Sequence, residues 1–347
     1  MKIHTLLFAL IAALAFAFVA CGDDDNAASN TATATHTTPA TSTAAATATA
    51  SVATTATPSP PATVFDCGTA HKGTTPDASA FPVTVTDGTG VSVTLTAPPE
   101  HVASLDAAHT EVLFAIGAGD QVSAVDNYSD CPTSAAALPK IDSFNISLEA
   151  ITAQNPDLVV LGFTVSTDIA MALQGAGIKV LTQPSPSDIN GVYDNIELLG
   201  EVTGHAGEAD NLVTSMSNEV HAITAEVAGK TAPSVYHEVD NTYYSVGPGS
   251  FIDDLYKTLG ARNIAMASGE AYPQLSAEAI IAANPDVIIL ADEDAGESES
   301  TVAARPGWSV IGAVKNHRVN AIDPNIVSRP GPRIVDALRL LKLALYG

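Results

Sequence analysis

Apolar and polar positions alternate along the chain in blocks that predict short strands and helices. Runs at 102–105, 158–161, 234–239 and 287–290 have the length of strands, and those at 158–161 and 287–290 are continuously apolar, as expected for strands buried on both faces of a parallel sheet. Segments whose apolar residues recur every three or four positions separate these runs, as expected for amphipathic helices. The pattern therefore predicts an α/β fold with parallel sheets.

The two halves of the chain continue with similar patterns. Two alternating runs at 83–86 and 91–95, separated by Asp87-Gly88-Thr89-Gly90, predict a hairpin. A helix is predicted over 110–116, where Gly117 ends it, and another over 251–259, where Gly260 ends it. A strand, a loop and a glycine-terminated helix thus occur in the same order in each half.

A longer repeat supports two related lobes. Residues 147–161 read SLEAITAQNPDLVVL, and residues 276–290 read SAEAIIAANPDVIIL. In each copy the serine is a candidate helix N-cap, and the glutamate lies in the first turn, where the helix dipole favours negative charge. The asparagine before proline is disfavoured in the right-handed helical region, so it should end the helix. Each copy therefore predicts a short helix followed by a buried strand.

Residues 189–228 connect the two halves and have the periodicity of a helix. Their apolar positions are Val192, Ile196, Leu199, Leu212, Val213, Met216, Val220, Ile223 and Val227. A helical connection would be stiffer than a pair of crossing strands, so we expect only modest movement between the lobes.

The first part of the chain has the composition of an export signal and a tether. Residues 1–20 combine a basic start with an apolar run too short to span a bilayer, as in a signal peptide. Phe18-Val19-Ala20-Cys21 resembles a lipobox, which predicts lipidation of Cys21 and anchoring to the membrane. The following residues, to position 62, are rich in Thr, Ala, Ser and Pro and predict a disordered linker.

Charge and cysteine content narrow the function and the compartment. The formal net charge of −24 makes nucleic acid and anionic surfaces poor partners. The length of 63–347 suits two modest lobes better than a single core. If Cys21 carries lipid, Cys67 and Cys131 remain, either as a disulfide in an oxidising compartment or as two unrelated thiols.

Several segments, taken together and in this order, give the chain a family resemblance. Residues 81–345 resemble the helical-backbone solute-binding proteins of cobalamin and iron-siderophore importers. The segments that carry the resemblance are 81–87, Ser104-Leu105 with 110–114, Tyr128-Ser129-Asp130-Cys131-Pro132, Leu138-Pro139-Lys140, both copies of the repeat, Gly247-Pro248-Gly249-Ser250-Phe251, 272–276 and Arg329-Pro330-Gly331-Pro332-Arg333.

The resemblance implies an architecture and a set of partners. It predicts two Rossmann-like lobes, 81–184 and 234–347, joined by a helical bridge over 189–228, with a ligand cleft between them. Glu149 and Glu278 match the glutamates that dock on the permease of such importers, so the implied partner is a permease dimer with its ATPase. The binding protein itself is expected to be a monomer without cofactor or bound metal.

The resemblance also implies which residues contact the ligand. The expected cleft residues are Tyr128, Phe144, Phe163, Tyr244, Tyr272 and Arg329. Arg329 would hold an amide or carboxylate of the ligand, whereas Arg333 would begin the last helix. Cobalamin is the first expectation, and a ferric siderophore or haem is the alternative. Phenylalanine and tyrosine stand where cobalamin binders often carry tryptophan, so the sequence leaves both the cobalamin expectation and its alternative open.

Two histidines are further candidates for ligand contact, and two other classes of protein are alternatives to a solute-binding protein. His109 and His237 are predicted in loops after the first strand of each lobe, where imidazole could contact a ligand or metal. Two histidines without a clear third ligand do not predict a zinc site. A tethered surface enzyme is disfavoured, because no nucleophile elbow, Walker loop or dinucleotide motif is present. A tethered adhesin would leave the repeat and the aromatic loops unexplained.

Overall fold

The computed structural model describes residues 65–68, 72–162 and 167–347. The described residues belong to one compact unit. The predicted signal peptide 1–20, Cys21, the linker to residue 62 and Phe163 lie outside the described residues. In the part of the chain that is described, no helix is both long and apolar enough to cross a membrane.

A β-hairpin precedes a five-stranded parallel sheet in the first lobe. The hairpin strands are β1 (Val83–Thr86) and β2 (Ser92–Leu95), which pair antiparallel. The sheet strands are β3 (Val102–Leu105), β4 (Val122–Asp126), β5 (Lys140–Ile141), β6 (Leu158–Leu161) and β7 (Lys179–Thr182). Their order is β5-β4-β3-β6-β7, and every pair is parallel. All residues of β3 and β6 are buried, as the continuous apolar run of β6 predicts.

Helices connect these strands. They are α1 (Ala107–Ala115), α2 (Thr133–Ala136), α3 (Leu148–Thr152) and α4 (Thr167–Gly175). Asp106 caps α1 by accepting hydrogen bonds from the amides of Ala108 and His109. The cap therefore starts α1 three residues before the predicted Thr110, and the strand-to-helix connection is correspondingly short.

The second lobe repeats this plan with a four-stranded parallel sheet. Its strands are β8 (Ser234–Glu238), β9 (Arg262–Asn263), β10 (Val287–Leu290) and β11 (Val319–Ala321), in the order β11-β10-β8-β9. Its helices are α7 (Phe251–Thr258), α8 (Ala277–Ala283), α9 (Glu299–Ala303), α10 (Gly312–Lys315), α11 (Pro324–Val327) and α12 (Ile334–Tyr346). Short 3-10 turns lie at Ala78–Ala80, Gly119–Gln121, Ile264–Ser268, Glu293–Ala295 and Trp308–Val310. The prediction of two parallel α/β lobes is confirmed.

The connection between the lobes is a helical hairpin, which corrects the prediction of one continuous bridging helix over 189–228. It consists of α5 (Ile189–Thr203) and α6 (Ala206–Val227), which pack against each other. Gly204 ends α5 with φ of 80°, and the amide of His205 donates to the carbonyl of Gly200. Glycine adopts this left-handed conformation without steric cost, so the chain reverses here.

One hydrophobic core runs through both lobes and the hairpin between them. It includes Val102 and Leu158 of the first sheet, Leu199 of α5, Met216 of α6 and Val235 of the second sheet. Helix α12 packs on α6 and contributes to the same core. Two further clusters cover the remaining face of each sheet. Because the core is continuous, the helical connection is packed firmly rather than hinged freely.

Candidate ligand-binding cleft

The two copies of the repeat have the same local structure. Ser147 and Ser276 cap α3 and α8 by accepting hydrogen bonds from the amides three residues on. Asn284 ends α8 with φ of 46°, in the left-handed region that asparagine tolerates better than most residues. Helix α3 already ends at Thr152, and Asn155, with φ of 49°, lies beyond its end. The prediction that the asparagine ends the helix is therefore confirmed for α8 only, and both residues before proline are left-handed rather than extended.

The aspartate of each Asn-Pro-Asp segment fastens the next strand to its neighbour. The carboxylate of Asp157 accepts from the amides of Glu100 and His101, at 2.7 and 3.0 Å, just before β3 begins. In the second lobe, Asp286 accepts from the amide and the hydroxyl of Ser234, at 2.8 and 2.7 Å, where β8 begins. The Asn-Pro-Asp part of the repeat is therefore structural.

The glutamates of the repeat have a different environment. Glu149 and Glu278 are exposed in the first turns of α3 and α8. Within the residues that the structure describes, neither forms an ion pair with a lysine, arginine or histidine. Both carboxylates are therefore available to a partner, one on each lobe.

Two exposed aromatic side chains lie at the carboxyl edge of the first sheet. Tyr128 follows β4 and Phe144 follows β5, and their side chains are 54% and 63% exposed. Their ring centroids lie 5.4 Å apart in an edge-to-face arrangement. Asp142 orients the Phe144 loop by accepting from the amides of Phe144 and Asn145. The pair forms an aromatic wall on the first lobe.

Two more exposed aromatic side chains lie on the second lobe. Tyr244 and Tyr272 are 41% and 57% exposed. Their segments run side by side, because Tyr244 forms a β-bridge with Gln274 and the amide of Ser245 donates to the carbonyl of Pro273. The other aromatic side chains whose burial the structure describes are buried or half-buried. The structure thus exposes four of the five aromatic residues predicted for the cleft, and the fifth, Phe163, lies outside the described residues.

A small cavity connects the two lobes near these residues. Its volume is about 150 Å³. It is lined by Ser185, which follows β7 of the first sheet, and by Val239, Phe251, Ile252, Tyr272, Ser328 and Pro330 of the second lobe. Since these residues follow strands of both sheets, the carboxyl edges of the two sheets border a common cleft, where ligands of α/β proteins usually bind.

Arg329 lies in this cleft, but its guanidinium is engaged by the protein itself. Nη1 donates to Glu111 at 3.0 Å and to Asp130 at 2.7 Å. Nη2 donates to the carbonyl of Tyr128 at 3.0 Å and to the side chain of Asn325 at 2.5 Å. The expectation that Arg329 holds a polar group of the ligand is therefore not supported by its contacts.

Arg333 has the structural role expected of it. It precedes α12, and its guanidinium donates to both carboxylate oxygens of Glu111, at 2.9 and 2.6 Å. Glu111 is completely buried in α1. The sequence analysis did not single out Glu111 as a site residue, because nothing local pairs a helix of the first lobe with the loop before α12. A glutamate within an apolar helix was the one available signal.

The two candidate histidines lie in regular elements rather than in loops, which corrects the prediction. His109 is in α1 and His237 is in β8, and both are buried. His237 Nδ1 lies 2.8 Å from the hydroxyl of Tyr256, and burial lowers the pKa of His237 to about 3. The exposed fractions, 5% for His109 and 0% for His237, leave little imidazole surface for a ligand in the cleft.

A cluster of carboxylates lies at the carboxyl edge of the second sheet. Arg305 donates to both oxygens of Glu238, at 2.6 and 2.5 Å, and to Glu297 at 2.7 Å. Asp292 is 6% exposed, and neither of its carboxylate oxygens has a hydrogen-bond partner among the described residues. Burial, and then the charges of Glu238 and Glu297, raise the pKa of Asp292 to about 7.

The three arginines at this edge of the sheets are engaged by carboxylates. Arg305, Arg329 and Arg333 are paired as described above. Lys140 of β5 is exposed and donates to the carbonyl of Ser129 at 2.5 Å, without a carboxylate ion pair among the described residues. Carboxylates outnumber these cations, and they include Asp106, Asp126, Asp130, Asp142, Asp240 and Asp292. The described residues therefore make this edge acidic.

The cysteine pair is bonded. Cys67 and Cys131 form a disulfide whose Cα atoms lie 4.9 Å apart. Cys131 is buried in the core of the first lobe, and the amide of Thr133 donates to the carbonyl of Cys67 at 3.0 Å. Of the two alternatives left open by the sequence, the structure has the disulfide, which fastens the segment around Cys67 to the loop that carries Tyr128.

Comparison with known proteins agrees with this geometry. Residues 102–326 match the family model described as periplasmic binding protein. An uncharacterized ABC transporter substrate-binding lipoprotein, YvrC, of Bacillus subtilis (strain 168) is 34% identical over 274 residues, which cover 77% of this chain and 86% of that protein. A cobalamin-binding protein of Halobacterium salinarum (strain ATCC 29341 / DSM 671 / R1) is 28% identical, over 78% of this chain and 75% of the relative.

Solved structures share the fold. The crystal structure of an ABC-type Fe3+-hydroxamate transport system from Saccharomonospora viridis DSM 43017 superposes with a TM-score of 0.64 and 27% sequence identity. The match covers 76% of this chain and 99% of that one. Together with the extent of the family match and of the Bacillus relative, this shows that the chain belongs to the periplasmic binding protein family.

Proposed function

We propose that this protein is the extracytoplasmic solute-binding component of an ABC importer and that it captures a corrinoid, such as cobalamin, between its two lobes. The observation that carries the proposal is the set of four exposed aromatic side chains, two on each lobe, at the carboxyl edges of the sheets. Its function is capture and delivery rather than catalysis.

Exposed aromatic rings on facing lobes suit a large, flat, conjugated ligand. Each ring offers a wide apolar surface at a small cost in conformational entropy, because it has only two side-chain torsions. Apolar groups of this size are normally buried, so four of them at one cleft indicate a surface that becomes covered by a ligand. A macrocycle placed between Tyr128–Phe144 and Tyr244–Tyr272 would bury rings of both lobes at once.

Charge favours a neutral ligand. Cyanocobalamin carries amides around its macrocycle and has no net charge, whereas haem carries two propionates and many siderophores are anionic. An anion entering this cleft would meet carboxylates and find Arg305 and Arg329 already paired. Burying a charge without a partner is costly, so haem and anionic siderophores are disfavoured. A neutral ferric hydroxamate is the alternative that this argument leaves.

The comparisons name different ligands and do not choose among them, since solved structures with this fold also include a heme-binding protein, BhuT. The Halobacterium relative is named a cobalamin-binding protein, and the Saccharomonospora structure belongs to an iron-hydroxamate transport system. The Tyr128-Ser129-Asp130-Cys131-Pro132 segment, which resembles that of cobalamin binders, supports the corrinoid. We therefore keep cobalamin as the proposed ligand and ferric hydroxamate as the second candidate.

Calorimetric titration of the purified protein with cyanocobalamin, a ferric hydroxamate and haem tests the proposal. We expect one-to-one binding of cyanocobalamin and much weaker binding of haem. Phe144→Ala and Tyr272→Ala should each weaken binding by about 5- to 50-fold, as central aromatic contacts usually do. Calorimetry is preferable to tryptophan fluorescence, because Trp308 is buried in the second lobe and stacked on Tyr243.

The control for this titration is Leu343→Ala, which truncates a side chain 67% exposed on α12, away from the cleft. It should bind like the wild type. Selective binding of the ferric hydroxamate would move the function to iron uptake on the same fold. Unchanged affinity in both aromatic variants would contradict the proposed cleft.

Delivery is proposed to require a lipid anchor and the two glutamates of the repeat. Residues 1–20 would direct export, lipidated Cys21 would hold the protein at the membrane, and the linker to residue 62 would give it reach. Glu149 and Glu278 would dock on basic side chains of a two-fold permease, since they lie on different lobes and neither has an ion-pair partner among the described residues.

Uptake of the ligand by cells that depend on this protein tests the delivery step. Glu149→Arg with Glu278→Arg should lower uptake at least about tenfold, because like charges would face each other at the docking site. Ligand affinity of the purified variant should stay unchanged. Glu201→Arg, at an exposed position of α5, is the matched control and should import normally. Normal uptake by the double variant would rule out these glutamates as docking residues.

The lipid anchor is tested separately. Cys21→Ser should release the protein from the membrane fraction.

A further inference from the structure

The two lobes are joined at the cleft by a buried group of charged side chains. Glu111 belongs to α1 of the first lobe, whereas Arg329 and Arg333 lie between β11 and α12 of the second lobe. Arg333 holds both oxygens of Glu111, and Arg329 adds a third bond to the same carboxylate at 3.0 Å. The side chain of Glu111 is fully buried and that of Arg333 is 9% exposed. This ion pair is a fixed connection between the lobes that water does not reach.

Arg329 extends this connection to the loop of the first lobe that carries Tyr128. It donates to the carbonyl of Tyr128 at 3.0 Å and to the carboxylate of Asp130 at 2.7 Å, both in the first lobe. From the second lobe, Asn325 accepts from Arg329 through its side chain and from Arg333 through its carbonyl. A single guanidinium is thus bonded to acceptors of both lobes.

The same residue borders the cavity between the lobes. Ser328 and Pro330, on either side of Arg329, line that cavity together with Tyr272. Arg329 therefore connects the loop of Tyr128, on one lobe, with the segment beside Tyr272, on the other. Burial raises the pKa of Asp130, but hydrogen bonding and the charge of Arg329 outweigh it, so the pKa of Asp130 lies below its ordinary value. The contact consequently stays ionic across the neutral range.

We infer that Arg329 is a positioning residue that fastens the Tyr128 loop of the first lobe to the second lobe and so sets the width of the empty cleft. A guanidinium suits this role, because its planar fork can hold several acceptors in fixed directions at once. A cleft held at its working width binds without the cost of ordering the aromatic loop, which is the advantage of preorganisation. Only this consequence for affinity rests on the proposed function.

Arg329→Met tests the inference without disrupting the core. Glu111 keeps both bonds to Arg333 in this variant, so no buried carboxylate is left unpaired. Arg339→Met is the matched control, because Arg339 is also an arginine paired with two carboxylates, Glu219 and Asp336, but lies on α12 away from the cleft. Both variants should unfold within a few degrees of the wild type.

The width of the cleft is measured directly by spin-label distances between the lobes. Labels are placed at Met171 of the first lobe and Val310 of the second, which are both more than half exposed, in a Cys21→Ser background. In the ligand-free protein, Arg329→Met should broaden the distance distribution, whereas Arg339→Met should leave it narrow. Asp130→Asn, which keeps the bond to the Tyr128 carbonyl, should broaden it less.

Binding provides the second readout. The affinity for the ligand identified by titration should fall about tenfold in Arg329→Met and remain unchanged in Arg339→Met. A narrow distribution in Arg329→Met, or equal broadening in the two arginine variants, would overturn the inference. Because the distances need no ligand, failure of every ligand to bind would reject the proposed function while leaving the role of Arg329 to be decided by the spin labels.

Discussion

Replacing Asp292 by asparagine is expected to remove a loss of stability that the wild-type protein suffers as the pH rises from about 4 to about 7. The quantity compared is the free energy of unfolding of the variant minus that of the wild type. Between pH 4 and pH 8 this difference should change by up to about 4 kcal/mol in favour of the variant. The measurement is urea unfolding followed by circular dichroism at a series of pH values.

The reason lies in the surroundings of Asp292. Its carboxyl is buried at the end of the second sheet, near Glu238 and Glu297, and the single positive charge of Arg305 is shared by those two glutamates. Ionising Asp292 would place a third negative charge in the cluster without a hydrogen-bond donor among the described residues. The folded state therefore keeps the proton, and the pKa of Asp292 is raised from 3.8 to about 7.

The direction of the pH effect follows from this difference. Between about pH 4 and about 7 the unfolded chain has lost the proton, whereas the folded protein still binds it, so stability falls with rising pH. Above the folded pKa both states are ionised and the loss is complete. Asparagine has no proton to lose in this range, so its contribution should not change with pH.

Asp294→Asn is the control for this prediction. Asp294 is exposed two residues further along the same loop, so the same substitution should leave the slope unchanged. Comparing slopes rather than absolute stabilities also cancels any new contact made by the amide. If wild type and Asp292→Asn have parallel stability curves from pH 4 to 8, Asp292 ionises in the folded protein as it does in the unfolded chain.

Loss of the Cys67–Cys131 disulfide is expected to have an effect of similar size. The bond closes a loop with a sequence separation of 64, and loop-closure entropy for that length corresponds to at most about 4 kcal/mol. Cys67→Ala with Cys131→Ala should lower the free energy of unfolding toward this value, with a further small cost for the buried sulfur of Cys131. Denaturant unfolding of the oxidised protein and the double variant measures the difference.

Reductant distinguishes the covalent bond from the packing of the two side chains. Wild-type protein unfolded in the presence of reductant should show a midpoint close to that of the alanine variant, and the variant itself should not respond to reductant. Because Cys131 is buried, reduction must be carried out under unfolding conditions before equilibrium is approached. Equal stability of the oxidised and reduced wild type would show that the disulfide contributes little.

The hydrophobic core that the two lobes share should limit how far they move during ligand capture. Residues of both sheets, α5, α6 and α12 belong to one hydrophobic cluster. Separating the lobes widely would expose part of that cluster to water, so capture should involve small movements around a largely preformed cleft. Release would then need force from outside, which supports a permease that engages both lobes through Glu149 and Glu278.

The sequence by itself determined the central elements of each lobe and their order, because these depend on local patterns. Continuous apolar runs predicted β6 and β10 correctly, since strands buried on both faces favour apolar residues at successive positions. The repeat predicted two lobes, its serines marked the beginnings of α3 and α8, and its second asparagine marked the end of α8. The aromatic positions of the cleft came from the family resemblance, and the structure exposes four of them in loops after strands.

The sequence held some signals that were not used. Gly204 follows a helical pattern at a position that suits a helix C-terminus, and it divides the bridge into α5 and α6. An acidic residue, Asp106, precedes Ala107, so the cap of α1 could also have been found. Both are local features, so their omission was a matter of interpretation rather than of missing information.

Only the tertiary structure decided which charged and polar groups meet. Glu111 pairs with Arg329 and Arg333 across more than half the chain, and no local pattern encodes that partner. His109 proved to be buried because α1 begins earlier than predicted, and His237 because Tyr256 of α7 packs on it. The pKa of Asp292 depends on its burial and on Glu238 of another strand, as well as on the nearby Glu297. Hydrophobic periodicity is a property of a segment, whereas the partner and solvation of a charge are properties of the packed molecule.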